Sequence, residues 1–281
     1  MNNLKRIMMN MLHLYRIVFA AVLFLCTACG KNLIDYGDVT PVTDSDAIVK
    51  INYASQYGDD RAIFVKFNDT RVTPLILGRQ PYPGGGWNTR GDSRADFLVA
   101  KPGVMNMQIC LPFRNDNGLD SLVLYQQEFT LEKGKRYTIH VADTAEFTRS
   151  IIAEENFLMP DSGYARYRFI NLMPDVEAID LYYGAYSTTA AGQTTIADSL
   201  VASNIGYMQL SEEFTLNRSA NRTWKIRKAG APVTNASVLA WYSSTNTTLN
   251  QRVYTVYAMG YEKYFGTGDI RRPFVSFYHV R

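Results

Sequence analysis

The sequence predicts an all-β protein made of two tandem antiparallel β-sandwich modules, placed after a signal peptide and a tether. Three observations support this fold class. Apolar and polar residues alternate over short segments, clusters of Gly, Pro and Asp separate these segments, and one order of segments is written twice. Strands of about five to eight residues between such turn clusters are typical of sandwiches and barrels. With 281 residues, 47% of them hydrophobic, the chain can bury a substantial core.

The first 28 residues have the pattern of a secretory signal peptide. Lys5, Arg6 and Arg16 form a basic region, and the uninterrupted apolar run 17–25 follows it. This run is shorter than the roughly 20 apolar residues that a membrane-spanning helix needs. We therefore expect residues 1–28 to be removed from the mature protein.

The end of this leader, residues 25–30 (LCTACG), resembles the bacterial lipobox, with Cys26 at the position that Leu usually occupies. The resemblance implies that Cys29 is acylated and becomes the first residue of the mature chain. Two or three fatty chains give stable membrane anchoring. Residues 29–46, with Pro41 and four Asp residues, then form a flexible tether. In the alternative interpretation, Cys29 is a small residue at an ordinary cleavage site.

The charge distribution excludes a nucleic-acid-binding stripe, and the cysteine content excludes an internal disulfide. Removal of Lys5, Arg6 and Arg16 reduces the 29 basic residues to 26, which equals the 26 acidic residues. The mature chain is therefore neutral, and it has no basic stripe with interleaved aromatics of the kind that binds nucleic acid. Only Cys110 remains in the body of the chain, so an internal disulfide is excluded. Its apolar setting favours a buried thiol over a nucleophile.

Two copies of one segment order define the modules, which we predict at residues 47–160 and 164–281. The first copy opens with the alternating segment 47–54 (AIVKINYA), and the second with 165–169 (ARYRF), 118 positions later. In both segments the apolar residues share one face and Lys or Arg the other, so we expect half-buried strands. The turn cluster Pro-Asp-Ser-Gly at 160–163 separates the copies.

Further segments match between the copies at spacings of 116 to 118 residues. Each pair combines similar apolar alternation with a similar position relative to the turns. We expect residues 150–158 to form another strand or a short helix, and residues 274–281 (FVSFYHVR) to be paired in a sheet. The matched pairs are residues 63–67 with 179–183, 107–109 with 224–226, and 137–141 with 254–258.

Residues 164–184 (YARYRFINLMPDVEAIDLYYG) resemble the hallmark of the bacterial domain of unknown function 4397. Asn171 stands where that family often has His. The first copy resembles the family more loosely, through residues 101–103 (KPG) and 131–137 (LEKGKRY). The resemblance implies an immunoglobulin-like sandwich in secreted or envelope proteins, and it implies no particular chemistry. The residues that fit the hallmark are Ala165, Arg168, Pro174, Asp175, Asp180, Tyr182 and Gly184.

Candidates for chemistry are few, and each has a structural interpretation beside the functional one. His140 and His279 lie in strand patterns, and we expect structural roles for them rather than those of a catalytic base or metal ligand. Asp175, Glu177 and Asp180 supply oxygen atoms of the kind that Ca²⁺ binds, but an Asp after a proline is typical of a turn. We predict no metal, no cofactor and no enzymatic activity.

One loop is unusual enough to suggest ligand binding. Residues 80–90 (QPYPGGGWNTR) offer Tyr82 and Trp87 in a segment too rich in Gly and Pro for a strand. Aromatic side chains supply rigid contact area, on which the faces of sugar rings can stack. In the alternative interpretation, Trp87 folds back over the core of the first module. A second aromatic concentration, at residues 241–242 and 261–265, fits strand packing or contacts between the modules.

These observations predict an envelope-anchored, non-catalytic lipoprotein that acts in binding or adhesion, with a glycan as the first ligand class. Its expected partners are the membrane, through the lipid on Cys29, and a glycan or an envelope protein. The outer membrane is the expected location, and the sequence leaves open which face of it. In the alternative function, the protein is a structural or assembly subunit of a pilus-like structure or envelope scaffold, in which sheet edges pair with neighbours.

Overall fold

The computed structural model describes residues 42–55, 62–73, 75–76, 97–112, 122–184, 198–217, 223–243 and 249–281. In these residues the chain forms 16 β-strands, with 3-10 turns at Ala145–Phe147 and Glu262–Tyr264. The predicted all-β fold class is therefore confirmed. In the part of the chain just defined, none of the helical segments is long and apolar enough to cross a membrane.

The first repeat forms two four-stranded sheets packed as a sandwich. Its strands are β1 (Ala47–Tyr53), β2 (Phe64–Phe67), β3 (Thr70–Arg71), β4 (Leu98–Ala100), β5 (Gly103–Leu111), β6 (Leu122–Leu131), β7 (Arg136–Ala142) and β8 (Arg149–Glu154). The sheet orders are β4-β1-β7-β8 and β3-β2-β5-β6. Pairing is antiparallel except between β1 and β7, which run parallel with Ile48 opposite Arg136.

The second repeat is also a sandwich of two four-stranded sheets. Its strands are β9 (Tyr164–Leu172), β10 (Ala178–Gly184), β11 (Asp198–Gly206), β12 (Phe214–Asn217), β13 (Thr223–Lys228), β14 (Ala240–Ser243), β15 (Val253–Met259) and β16 (Phe274–His279). The sheet orders are β12-β9-β15-β16 and β11-β10-β13-β14. Here β9 and β15 form the parallel pair, with Tyr167 opposite Tyr254.

The two repeats share one strand order and one pairing scheme, because each strand of the second takes the place of the strand eight earlier in the chain. The predicted tandem arrangement is thus present in the topology. Residues 149–154 form a strand rather than a helix, and residues 274–279 are paired in a sheet, as expected. The domain limits 47–160 and 164–281 stay a prediction, since the region Val42–Arg281 packs as one compact unit.

Alternation along the strands directs large apolar side chains into each sandwich. In the second repeat the core surrounds Trp224, which is fully buried. Its ring centroid lies 4.9 Å from that of Tyr167, 4.6 Å from that of Tyr183 and 5.3 Å from that of Phe277. Aromatic pairs at such separations add stability beyond the burial of their area. In the first repeat, the Cys110 thiol is buried, as its apolar setting indicates.

The polar face of β1 is buried as well, which differs from the half-buried strand that alternation predicts. Lys50 is only 3% exposed, because residues of the second repeat cover it. Its Nζ donates a hydrogen bond to the carbonyl oxygen of His279 over 2.8 Å. In return, the Tyr278 hydroxyl donates to the Ile51 carbonyl oxygen over 2.9 Å. The two sandwiches therefore meet across a face that carries polar side chains.

Other polar groups near this interface form pairs, although Asn52 Oδ1, His140 Nε2 and Glu155 Oε1 are buried without a hydrogen-bond partner among the described residues. Arg168 Nη2 lies 2.8 Å from Glu155 Oε2, so the predicted outward face of β9 also contacts the first repeat. Burial raises the pKa of Glu155, while the Arg168 charge opposes that rise. The Asn52 amide nitrogen lies 3.0 Å from His140 Nδ1. Burial lowers the pKa of His140 to about 3, so this imidazole is neutral in the folded protein.

The buried ammonium of Lys50 makes stability depend on pH. Burial lowers the pKa of Lys50 from 10.5 to about 8. Between these values the unfolded chain binds the Lys50 proton and the folded chain does not, so the free energy of unfolding rises with pH. From about pH 8 to about pH 9.5 we expect a gain of about 1.5 kcal/mol, measured by urea denaturation of the fragment 30–281.

The Lys50→Met variant should lack this gain. Lys133→Met is the matched control, because Lys133 is exposed and its replacement should leave the pH profile unchanged. The measurement stays below about pH 10, where tyrosines of the unfolded chain begin to ionise. Burial raises the pKa of Tyr257 to about 12, so ionisation of the unfolded chain lowers stability there. Identical slopes for wild type and Lys50→Met would contradict the assignment.

Candidate ligand-binding groove

The residues predicted to act directly in anchoring and binding lie outside the described part of the chain. This applies to Cys29 and to the loop residues Tyr82 and Trp87, whose roles stay predictions. Among the residues that the structure does describe, no group of three or more His, Cys, Asp or Glu side chains could hold a metal ion.

Two of the three carboxylates considered as calcium ligands, Asp175 and Asp180, bind backbone amides. Asp175 accepts hydrogen bonds from the amides of Glu262 at 2.8 Å and Lys263 at 3.1 Å. Asp175 does lie in a turn, but its side chain holds the 3-10 turn Glu262–Tyr264 rather than its own neighbours. Asp180 likewise accepts from backbone amides, those of Asn204 at 2.7 Å and Gly230 at 2.9 Å.

Other residues of the hallmark segment also make structural contacts. Asn171 connects β11 with the turn after β9, since its amide nitrogen donates to the Ile205 carbonyl oxygen at 3.1 Å and its side-chain oxygen accepts from the Met173 amide at 2.9 Å. The Tyr182 ring lies 4.5 Å below the Arg227 guanidinium. The segment 164–184 thus holds the second repeat together. Two of its contacts support the groove described next, that of Asp175 with the turn Glu262–Tyr264 and that of Tyr182 with Arg227.

A groove of about 710 Å³ lies beside β14 in the second repeat. Two aromatic side chains in its lining are exposed, Trp241 by 54% and Phe265 by 51%. Packing in strands or between modules is the expectation for most aromatic residues at 241–242 and 261–265, and Trp241 and Phe265 are exceptions to it. The polar and basic groups of the lining include Asn235, Thr267 and Arg272.

Strand geometry explains why Trp241 points outward. Successive side chains of a strand point to opposite faces. Tyr242 packs into the sandwich, with its ring 5.5 Å from that of Phe277, so its neighbour Trp241 must lie on the outer face. There it is paired in register with Lys225 of β13. The alternation of residues 239–242 indicates an outward-facing Trp241 once Tyr242 is assigned to the core.

A buried ionic cluster supports the floor and the first wall of the groove. Asp198 Oδ1 lies 2.7 Å from Lys225 Nζ, and Asp198 Oδ2 lies 2.7 Å from Arg227 Nη2. None of these three side chains is more than 5% exposed. Arg227 Nε donates to the Thr234 carbonyl oxygen at 3.3 Å and to Ser237 Oγ at 3.1 Å. Asp198 therefore fixes, through two cations, both the groove residue Lys225 and the loop that carries Asn235.

The second wall, residues 262–274, is held by its own hydrogen bonds. Thr267 Oγ1 donates to the Tyr264 carbonyl oxygen at 2.7 Å and accepts from the Asp269 amide at 3.2 Å. Asp269 forms a bidentate pair with Arg271, with N to O distances of 2.9 and 2.7 Å. These hydrogen bonds lower the pKa of Asp269 to about 2. The wall that presents Phe265 is therefore preorganised.

Gly260 lets this wall cross close to β15. Its φ is +95°, and a Cβ atom at this position would lie 2.2 Å from the carbonyl oxygen of Arg272. The adjacent amide of Tyr261 donates to the Arg271 carbonyl oxygen at 2.8 Å. Only glycine combines this backbone conformation with such an approach. The position of Arg272 at the groove thus depends on Gly260.

Arg272 brings positive charge to the groove. Its guanidinium carbon lies 4.6 Å from the centroid of the Phe274 ring, which also lines the groove. Stacking on an aromatic face orients the planar cation while its N–H groups stay available. Together the lining side chains can stack on a ring, donate and accept hydrogen bonds, and pair with an anion.

Comparison with protein-family models gives no match, and comparison with curated proteins gives none either. The resemblance to the domain of unknown function 4397 therefore stays an interpretation of the hallmark residues.

Among solved structures, two low-level similarities are to chains described as a "putative cell adhesion protein". The one from Bacteroides eggerthii is 9% identical, with 86% of this chain and 97% of that chain covered and a TM-score of 0.24. The one from Bacteroides ovatus is 10% identical, with 84% and 95% covered and a TM-score of 0.21. At these TM-scores neither similarity carries an argument about this chain.

Proposed function

We propose that this protein is an envelope-anchored, non-catalytic binding or adhesion protein whose groove in the second repeat binds a glycan. The observation that supports the proposal is the pair of exposed aromatic side chains, Trp241 and Phe265, on walls that hydrogen bonds and ion pairs hold in place. Sugar rings have apolar faces and polar edges. A groove with aromatic faces beside amide, hydroxyl and guanidinium groups complements both.

The anchor in this proposal is the lipid on Cys29, and the tether is the part of residues 29–46 that precedes the compact unit Val42–Arg281. Its support is the sequence pattern of residues 1–30. The location that follows is the cell envelope, with the outer membrane as the expected membrane. Mass spectrometry of the processed N-terminus should find acyl chains on Cys29, and an unmodified cysteine there would contradict the anchor.

Aromatic replacement tests the groove. The fragment 30–281 contains the whole compact unit Val42–Arg281 and is titrated calorimetrically with a panel of neutral and acidic tetrasaccharides. For the sugars that bind, Trp241→Ala and Phe265→Ala should each weaken affinity about tenfold, because each removes a central aromatic contact. Phe147→Ala is the matched control, since this ring is 58% exposed on the first repeat.

The same titration distinguishes the groove from the loop singled out in the sequence. Tyr82→Ala and Trp87→Ala should leave the affinity unchanged if the groove is the binding site. Loss of binding in these two variants, with full binding by Trp241→Ala and Phe265→Ala, would move the site to residues 80–90. Failure of the wild-type fragment to bind any sugar would remove the glycan from the proposal.

A further inference from the structure

We propose that the groove selects acidic glycans, with the carboxylate or sulfate of one sugar paired to Arg272. This inference rests on the proposed function and adds the charge of the ligand to it. The charges of the groove lining support it. Its lining includes the basic residues Lys225 and Arg272, and no acidic side chain is among the described lining residues.

Of these two cations, Lys225 is already paired and buried. Its Nζ lies 2.7 Å from Asp198 Oδ1, and both side chains are almost completely shielded from solvent. A sugar in the groove cannot replace Asp198 without breaking that buried pair. Lys225 therefore shapes the floor, and its ammonium group is not presented to a ligand.

Arg271 and Arg272 likewise differ in whether a carboxylate pairs with them. Arg271 is bound in a bidentate pair by Asp269 and lies over the Tyr264 ring at 4.0 Å. Arg272 is exposed and forms no ion pair with any carboxylate of the described chain. Its one side-chain hydrogen bond within these residues is a long contact, 3.4 Å, from Nη1 to the Asp269 carbonyl oxygen. Arg272 is thus the exposed cation of the groove, and no carboxylate of the described residues pairs with it.

The geometry also suits a planar or tetrahedral oxyanion. Stacking on Phe274 fixes the plane of the Arg272 guanidinium, and a guanidinium offers parallel N–H groups to two oxygens of one anion. With a sugar ring on Trp241 or Phe265, an anionic group on that ring or the next one can reach Arg272. Neutral sugars would use the same aromatic contacts and leave this cation without a counterion.

The test compares acidic sugars with a neutral sugar of the same length. The fragment 30–281 is titrated with tetragalacturonate and with its neutral carboxyl-reduced counterpart, and a sulfated galactose tetramer distinguishes sulfate from carboxylate. We expect wild type to bind at least one acidic tetramer about tenfold more tightly than the neutral one. The preference should shrink as salt rises from about 50 to about 300 mM, because exposed charges are screened.

Arg272→Gln should abolish the preference, because it weakens binding of the acidic tetramer far more than binding of the neutral one. Arg272→Lys should keep only part of the preference, because an ammonium cannot form the bidentate pair. Arg71→Gln is the matched control, since Arg71 is also exposed and lies over an aromatic ring, Phe64, at 4.5 Å in the first repeat. Unchanged thermal unfolding shows that each variant is folded.

The outcomes separate this inference from the proposed function. Equal affinity of wild type for acidic and neutral tetramers, with loss of both in Trp241→Ala, would overturn the charge selection and leave glycan binding in place. A preference that survives in Arg272→Gln would overturn the assignment to Arg272. Absence of binding to every sugar would overturn the proposed function, and the inference with it.

Discussion

Replacement of Asp198 with alanine should lower the free energy of unfolding by about 3–5 kcal/mol. Asp198 is the common partner of Lys225 and Arg227, and neither cation is more than 5% exposed. Without the carboxylate, two positive charges remain in a site from which water is excluded. Breaking a buried ion pair on one side is costly for this reason, whereas the intact pair adds little net stability.

Urea denaturation of the fragment 30–281 measures this effect, with Glu154→Ala as the matched control. Glu154 Oε1 lies 2.5 Å from Lys135 Nζ, but these side chains are 52% and 42% exposed. Loss of such a surface pair should cost less than about 1 kcal/mol. A second variant, in which Asp198, Lys225 and Arg227 are replaced together by Leu, Met and Met, should recover most of the stability. An Asp198→Ala loss no larger than that of Glu154→Ala would contradict the role of the cluster.

Gly260→Ala is the second large effect that we expect, with a loss of about 3 kcal/mol or more. Part of the loss comes from the positive φ of +95°, and part from the 2.2 Å approach of an added Cβ to the Arg272 carbonyl oxygen. This carbonyl oxygen belongs to the backbone and cannot rotate away as a flexible side chain could, so the wall 262–274 must move. Binding by the groove should weaken together with stability.

Gly163→Ala separates the two causes. Gly163 has a similar φ, +91°, but an added Cβ would meet no atom within 4 Å. This variant should show only the conformational cost, about 1–2 kcal/mol. The difference between the two variants in urea denaturation then measures the clash with the wall. Equal losses would show that the close approach at Gly260 has no energetic consequence.

Local alternation was sufficient to predict the opening strands of both repeats and their duplication. Residues 47–53 and 164–172 form corresponding strands of the two repeats because the same apolar spacing directs the same faces inward. The parallel pairing of β1 with β7 could not be predicted in this way, since alternation fixes which side chains share a face and leaves the neighbouring strand undetermined.

The same limit explains the missed burial of Lys50 and the missed groove. Alternation correctly predicted that Lys50 points away from the core of its own sandwich. The residues that cover it lie more than two hundred positions later in the chain, and His279 is 229 positions away. The groove depends on Asp175 and Gly260, whose contacts with residues 262–272 are tertiary. Its aromatic members were visible in the sequence, and their exposure was not.

The cover over β1 has a consequence for the order in which the protein can mature. Lys50 donates to carbonyl oxygens of His279 and Val280, and Tyr278 donates to Ile51. A polypeptide emerges with its N-terminal end first, so β1 is synthesised long before the residues that shield it. Until then its ammonium and amide groups stay hydrated, and the first sandwich lacks one side of its final surroundings. Closure between the repeats therefore has to follow synthesis of β16, and a growing chain paused before residue 274 would remain open to chaperones and proteases.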